Sequence, residues 1–376
     1  MKTSYVKSRD LSSFDLWAKM RRSRSLLSFD LELTARCNCD CRHCYINLPA
    51  GDSAAKKKEL TLKEIESIAD DAVSLGAVWC LLTGGEPLLR PDFSDIYLML
   101  KKKGLLLSIF TNAVCLTEDH VRLFSAYPPR DIEVTVYGAT RETYESVTRT
   151  PGSFDAFRRG LARLLKSGLK IRLKAMALRS NMSEFEDIIR FCKNVTKDYF
   201  RFDYFLQLRL DGDKKRNRDI LGERISDADI LQLETMEAQR FRVMEKQCEK
   251  EFEPEPPQKD DDFIFHCSAG EKDFTVGYDG TFRLCPVLVH PDCVYDLRKG
   301  SLKDAWAEFV PRVLGLRSSR KEYMDHCRIC PLVHVCVWCP AHGYLETGHL
   351  DVYVPAFCRL AEARMAAAGY VGKAIC

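Results

Sequence analysis

The chain has 376 residues, 57 Lys+Arg against 54 Asp+Glu, and 46% apolar residues. Its apolar content and net charge of +3 exclude a disordered chain and disfavour an obligate nucleic-acid partner. Apolar runs such as GLLLSIF at 104–110 fall short of the roughly 18 residues of a membrane span, and the N-terminus has no apolar signal region. A cytoplasmic location is therefore expected, where 17 cysteines point to metal or catalysis rather than disulfides.

Residues 1–28 are basic and weakly patterned, and read as an N-terminal arm. From 29 to 210 short apolar segments alternate with helical ones. The expected strands are Phe29–Leu33, Val78–Thr83, Leu105–Phe110, Asp131–Tyr137, Lys170–Ala177 and Phe200–Leu208. Thr61 and Glu64 form a capping-box pattern, Asp92 opens a helix that Gly104 stops, and Thr140, Ser153 and Ser183 are expected N-caps. Six βα-like units predict an α/β fold with a parallel sheet, a partial (β/α)6 barrel. Residues 211–262 read as a charged loop, a helix over Ile225–Cys248 and an acidic, proline-rich linker over Glu249–Asp262. Residues 263–376 form a small cysteine-rich region opening with a hairpin, DFTVGYDGTFRL, that turns at Asp279-Gly280.

Cysteines fall in two dense groups. The first contains Cys37-x3-Cys41-x2-Cys44. Three thiolates in one loop suit three irons of a [4Fe–4S] cluster and leave the fourth iron open for chemistry. A structural zinc with Cys39 or His43 as fourth ligand is the competing reading. The second group is Cys267, Cys285, Cys327, Cys330, Cys336, Cys339 and Cys358, where two structural zincs compete with iron–sulfur clusters. The other thiols, Cys39, Cys80, Cys115, Cys192, Cys248, Cys293 and Cys376, read mostly as small apolar side chains.

The first motif is followed by Gly84-Gly85-Glu86-Pro87 after the second strand and Phe110-Thr111-Asn112-Ala113 ending the third. This ordered set resembles the radical S-adenosylmethionine (SAM) superfamily. The resemblance implies that Cys37, Cys41 and Cys44 hold the catalytic cluster and that SAM chelates its open iron. Gly84, Gly85 and Pro87 would then line the methionine end, Glu86 would meet the SAM amino group, and Thr111 and Asn112 would lie near the ribose. Thr135, Tyr137 and Lys174 are further cofactor-binding candidates or ordinary polar strand residues. His43 either packs near the adenine or faces solvent.

The second group resembles the SPASM appendage of such enzymes, apart from an x2 spacing in Cys336-x2-Cys339 where x3 is commoner. That resemblance implies two auxiliary [4Fe–4S] clusters. Cys327, Cys330, Cys336 and Cys358 would hold one. Cys267, Cys285 and Cys339 would hold three irons of the other, whose fourth position falls to Cys293, His266, His290 or substrate. The peptide-modifying branch is implied by stretches such as VTVYGATRETYESVTRTPGSFDAF and CPAHGYLETG. The expected activity is cross-linking, such as a thioether, or side-chain oxidation of a peptide or protein. A small molecule such as a tetrapyrrole side chain is the alternative substrate, and a non-catalytic metal-binding adaptor the alternative class. A flavodoxin or ferredoxin would supply electrons. With 28 residues ahead of the first strand, any leader peptide is expected to bind the barrel or a separate leader-binding protein. Arg209, Asp203 and Asp211 read either as peptide contacts or as surface ion pairs.

Overall fold

The computed structural model describes residues 25–196, 201–236, 238–250 and 262–369. Most of the arm, most of the acidic linker and Cys376 lie outside these. All six expected strands are present, within a residue or two except for the last: β1 (Ser28–Thr34), β2 (Trp79–Gly84), β3 (Leu106–Thr111), β4 (Asp131–Val136), β5 (Ile171–Met176) and β6 (Arg201–Asp203). They pair in parallel in that order. The sixth is only three residues because the chain stops pairing after Asp203 and turns towards the cysteine loop.

Alternation along each strand builds the two faces. In β5, Ile171, Leu173 and Ala175 are buried, while Arg172, Lys174 and Met176 are half-buried between them. Phe29, Leu31, Leu82, Ile109, Ile132 and Val134 join Ile65 and Ile68 of helix α1 (Leu62–Ser74) and Tyr97 and Leu100 of α2 (Phe93–Lys102) in one apolar core. The polar members of the pattern stay on the concave side, which is where the barrel differs from an ordinary apolar core.

The helices begin largely as their sequences dictate. Thr61 accepts from the Glu64 N–H and Glu64 returns the bond to the Thr61 N–H, a closed capping box. Thr140 caps α3 (Arg141–Thr148). Ser153 and Ser183 do not cap. Helix α4 (Ser153–Lys166) starts at Ser153, and the Glu145 carboxylate accepts from Gly152 and Phe154 N–H in place of a local cap. Glu184 precedes α5 (Phe185–Val195) and spends its carboxylate on Thr140 and Thr143 of α3 instead. A carboxylate from α3 therefore replaces the sequence-local hydroxyl at α4, whereas α5 starts without a side-chain cap and the carboxylate ahead of it serves the start of α3.

The hairpin turning at Asp279-Gly280 is present as β7 (Asp273–Val276) and β8 (Thr281–Arg283), with Gly280 at φ +85°. Its placement is not legible from the sequence. β7 pairs in parallel with β1, Ser28 opposite Asp273 through Leu31 opposite Val276, and β9 (Val294–Asp296) follows β8. Among the described residues the sheet thus has nine strands, β9-β8-β7-β1-β2-β3-β4-β5-β6. Phe29 stacks on Phe274 across the junction, and Arg283 forms a fully buried ion pair with Glu32.

Candidate active site

The cysteine loop leaves the C-terminal end of β1 and is anchored at every turn. The Cys44 N–H donates to the Cys41 carbonyl at 3.3 Å, and the Asn47 N–H to Cys44 Sγ at 3.4 Å. Asp40 and Arg42 N–H donate to the Thr148 and Val147 carbonyls at the end of α3. Cys37, Cys39 and Cys41 form one buried cluster with Cys44 packed on it. The Cys39 contact and burial push the Cys37 thiol up, and burial does the same to Cys44. Among the described residues no set of three His, Cys, Asp or Glu side chains converges closely enough to fix a metal position. The donor set still suits a thiolate-ligated metal: several soft, proximate thiols on one loop.

Gly84 and Gly85 bind this loop to β2. The Gly85 N–H donates to the Thr34 carbonyl at 2.7 Å and the Glu86 N–H to the Arg36 carbonyl at 3.0 Å. A Cβ on Gly84, at φ +122°, would lie 2.2 Å from the Thr34 carbonyl oxygen, and one on Gly85 2.4 Å from that of Arg36. The glycines are needed for close backbone approach, as expected, but the neighbour that demands it is the root of the cysteine loop.

Glu86 is completely buried. Its carboxylate accepts from the Leu88 N–H (3.1 Å), the Thr111 hydroxyl (2.8 Å) and the Asn112 N–H (2.8 Å). Burial nevertheless pushes it up to about 7, against the pull of those bonds. Pro87, at the first position of the following single turn, is buried beside it. Asn112 in turn reaches the cysteine loop, with Nδ2 2.9 Å from Asn38 Oδ1 and 3.7 Å from Cys37 Sγ. The chain then passes through Ala113 at φ +59°. One connected network thus joins Glu86, Thr111, Asn112 and Cys37.

The remaining candidates lie on the far side. His43 is buried, its ring 5.2 Å from that of Tyr137, and its Nδ1 has no hydrogen-bond partner among the described residues. Burial and the nearby Lys174 charge push it down to about 3, so it is neutral at physiological pH. Burial also pushes the Tyr137 phenol up. Thr135 is buried on β4 opposite Lys174. Lys174 lies 3.3 Å from Glu133 and 4.4 Å from the centre of the Phe110 ring, and burial lowers its pKa. His43, Tyr137 and Lys174 therefore share one region, while Glu86, Thr111 and Asn112 form another beside Cys37.

Three residues that sequence reasoning did not place here clamp the loop. Asn47 donates to the Cys39 carbonyl (3.2 Å) and its Oδ1 accepts from Arg209 (3.0 Å) and Arg216 (2.8 Å). Arg209 also donates to the Asn47 carbonyl at 2.8 Å, and Arg216 pairs with Asp40. Arg209 is buried and pairs with Asp211, so it supports the loop rather than sitting as a surface ion pair. The only sequence signal was its position just beyond the sixth strand.

In the C-terminal region Cys327, Cys330, Cys336 and Cys358 line one cavity of about 150 Å³ with Leu332 and Trp338. Cys285 and Cys339 are close enough to Cys267 for its charge to raise both thiols, although burial is the larger cause. The first four thiols thus share one cavity, and Cys267 lies within electrostatic range of Cys285 and Cys339. Cys293 is fully buried, and it too lies near enough to Cys285 for that charge to raise its thiol, with burial again the larger cause.

The sequence comparisons agree with this geometry. Residues 31–192 match the family described as the Radical SAM superfamily. Those residues form a radical SAM domain, the parallel partial barrel that carries the cysteine loop at its rim. Over 338 residues the chain is 27% identical to the AdoMet-dependent heme synthase of Methanosarcina barkeri, covering 84% of this chain and 92% of that protein. Matches to other heme synthases and to an Fe-coproporphyrin III synthase span 38–44% of those proteins. It is 22% identical over 318 residues to the antilisterial bacteriocin subtilosin biosynthesis protein AlbA of Bacillus subtilis, covering 83% of this chain and 66% of that one. The fold matches Streptococcus suis SuiB bound to precursor peptide SuiA, with TM-score 0.67 at 14% identity over 94% of this chain and 83% of SuiB. No described helix is long and apolar enough to cross a membrane.

Proposed function

We propose that this enzyme modifies a peptide or protein, forming a cross-link or oxidising a side chain, with SAM as radical source. The observation that carries the radical chemistry is the network running from Glu86 through Thr111 and Asn112 to Cys37. Cys37, Cys41 and Cys44 would hold a [4Fe–4S] cluster, which with bound SAM supplies a 5′-deoxyadenosyl radical able to take hydrogen from an unactivated C–H bond. Around it the chain orients and excludes water. Glu86 holds the Thr111–Asn112 turn in place, and buried His43 and Thr135 with half-buried Tyr137 form the opposite wall and exclude water there.

The C-terminal region is read as a SPASM domain with two auxiliary clusters. Four thiols around one cavity of about 150 Å³ support the first, at Cys327, Cys330, Cys336 and Cys358. Cys267, Cys285 and Cys339 would hold the second. A peptide substrate is supported by the likeness to AlbA along most of this chain and to SuiB, which was solved with its precursor peptide. A low-potential flavodoxin or ferredoxin is the proposed reductant, with a separate leader-binding protein where a leader is used. The near full-length match to an AdoMet-dependent heme synthase favours a second reading, an iron porphyrin substrate.

Anaerobic incubation with SAM and reductant tests both. The enzyme should release 5′-deoxyadenosine and a Cys44→Ala variant should not. A precursor peptide that returns lighter by two hydrogens supports the first reading. Conversion of an iron porphyrin, with peptides unchanged, supports the second and overturns the first.

A further inference from the structure

The motif cysteines are 37, 41 and 44, yet the thiol at the centre of the buried cluster is Cys39. It is 3% exposed, against 8% for Cys37 and 5% for Cys41. Its side chain meets those of both Cys37 and Cys41, its N–H donates to Cys37 Sγ at 3.4 Å, and Asn38 Nδ2 lies 3.7 Å from its sulfur. Its carbonyl is held by Asn47, itself clamped by Arg209 and Arg216, so the backbone that aims Cys39 is fixed. Two other thiols outside the motifs, Cys80 and Cys192, sit in the apolar core among aliphatic and aromatic side chains. Cys39 has sulfur for neighbours instead, with Val114 and Tyr137 at the edge of the cluster. A thiol recruited only as a small apolar side chain belongs in the former setting.

We infer that Cys39 is a fourth, displaceable ligand of the catalytic iron–sulfur cluster. In the absence of SAM its thiolate binds the iron that the three motif cysteines leave open. When SAM arrives, its amino and carboxylate groups replace the sulfur, the iron–Cys39 bond breaks, and the released thiolate takes a proton from solvent. No electron moves in this exchange. The device protects the labile iron between turnovers and makes SAM compete for its own site. It rests on the iron–sulfur reading of the loop.

The test uses anaerobically reconstituted full-length enzyme and its Cys39→Ser and Cys39→Ala variants. Each is oxidised mildly with ferricyanide, with and without SAM, and the [3Fe–4S] signal is measured by electron paramagnetic resonance. A Cys37→Ala/Cys41→Ala/Cys44→Ala variant supplies the auxiliary background for subtraction. Without SAM, both Cys39 variants should lose the open iron several-fold more readily than the parent, and added SAM should abolish the difference. Both should also bind SAM several-fold more tightly, by removal of the competing ligand. Equal [3Fe–4S] yields and equal SAM affinities in parent and variants overturn the role of Cys39 alone, provided iron falls in the triple variant. Iron that does not fall in the triple variant overturns the cluster reading together with it.

Discussion

His43 shows how a single side chain reports its surroundings. Its folded pKa of about 3 lies below the ordinary 6.5, so the unfolded chain binds more protons between those values. The stability it supports is complete above pH 6.5 and is lost as pH falls towards 3. Relative to a His43→Phe variant, the parent should lose about 2 kcal/mol by pH 5, read from denaturant melts at pH 7 and pH 5. At pH 7 the variant should be no less stable, since phenylalanine removes a buried nitrogen without a partner and keeps the ring against Tyr137. Glu86 behaves oppositely: its pKa of about 7 exceeds the ordinary value, so its contribution is full below about pH 4.5 and lost as pH rises through 7. Glu86→Ala leaves the Thr111 hydroxyl and the Leu88 and Asn112 N–H groups without their acceptor and should cost about 2–4 kcal/mol. The same variant should lose SAM binding in equilibrium dialysis.

At the scale of elements, helix α4 must come close to the turn after β3. Gly160 makes that possible: a Cβ there would lie 2.0 Å from the Ala113 carbonyl oxygen. Gly160→Ala should therefore destabilise by about 1–3 kcal/mol and weaken SAM binding without touching any candidate ligand. Gly222, exposed on the helix Lys214–Glu223 with open space around its Cα, is the contrast. Gly222→Ala should raise the melting temperature, by up to about 1 kcal/mol in stability. The strands, the Thr61 cap and the Asp279-Gly280 turn were legible because period-two apolar patterning and local capping chemistry are written in contiguous residues. The carboxylate acceptors at the starts of α3 and α4 were not, because Glu184 and Glu145 reach Thr140 and Gly152 from other turns. The cysteine groups and Glu86 were legible as motifs. The clamp of Asn47, Arg209 and Arg216 was not, since it joins residues more than 160 positions apart and leaves no local pattern.

For the molecule as a whole, the barrel and the cysteine-rich region share a sheet and a buried ion pair. Arg283→Met strands the Glu32 carboxylate in the interior and should cost about 3–5 kcal/mol, whereas Glu32→Leu with Arg283→Met should recover most of it. Chemical denaturation of the two variants distinguishes these outcomes. Arg283 lies two residues before Cys285 and donates to the Pro286 carbonyl, so the single variant should also loosen the loop that carries Cys285. Iron analysis of the reconstituted protein is expected to give about twelve atoms per chain, and about eight after replacing Cys37, Cys41 and Cys44.

The pairing of β1 with β7 has a further consequence during synthesis. β1 is made early, and the strand that covers its free edge follows about 245 residues later. At 5–20 residues per second, a ribosome exposes that edge for on the order of ten to fifty seconds. An open strand edge is a template for pairing with other chains. Over the last stretch of about 70 residues in that interval, all five other barrel strands are already translated and the last neighbour of β1 is still missing. Slower translation lengthens that interval and should lower the soluble yield.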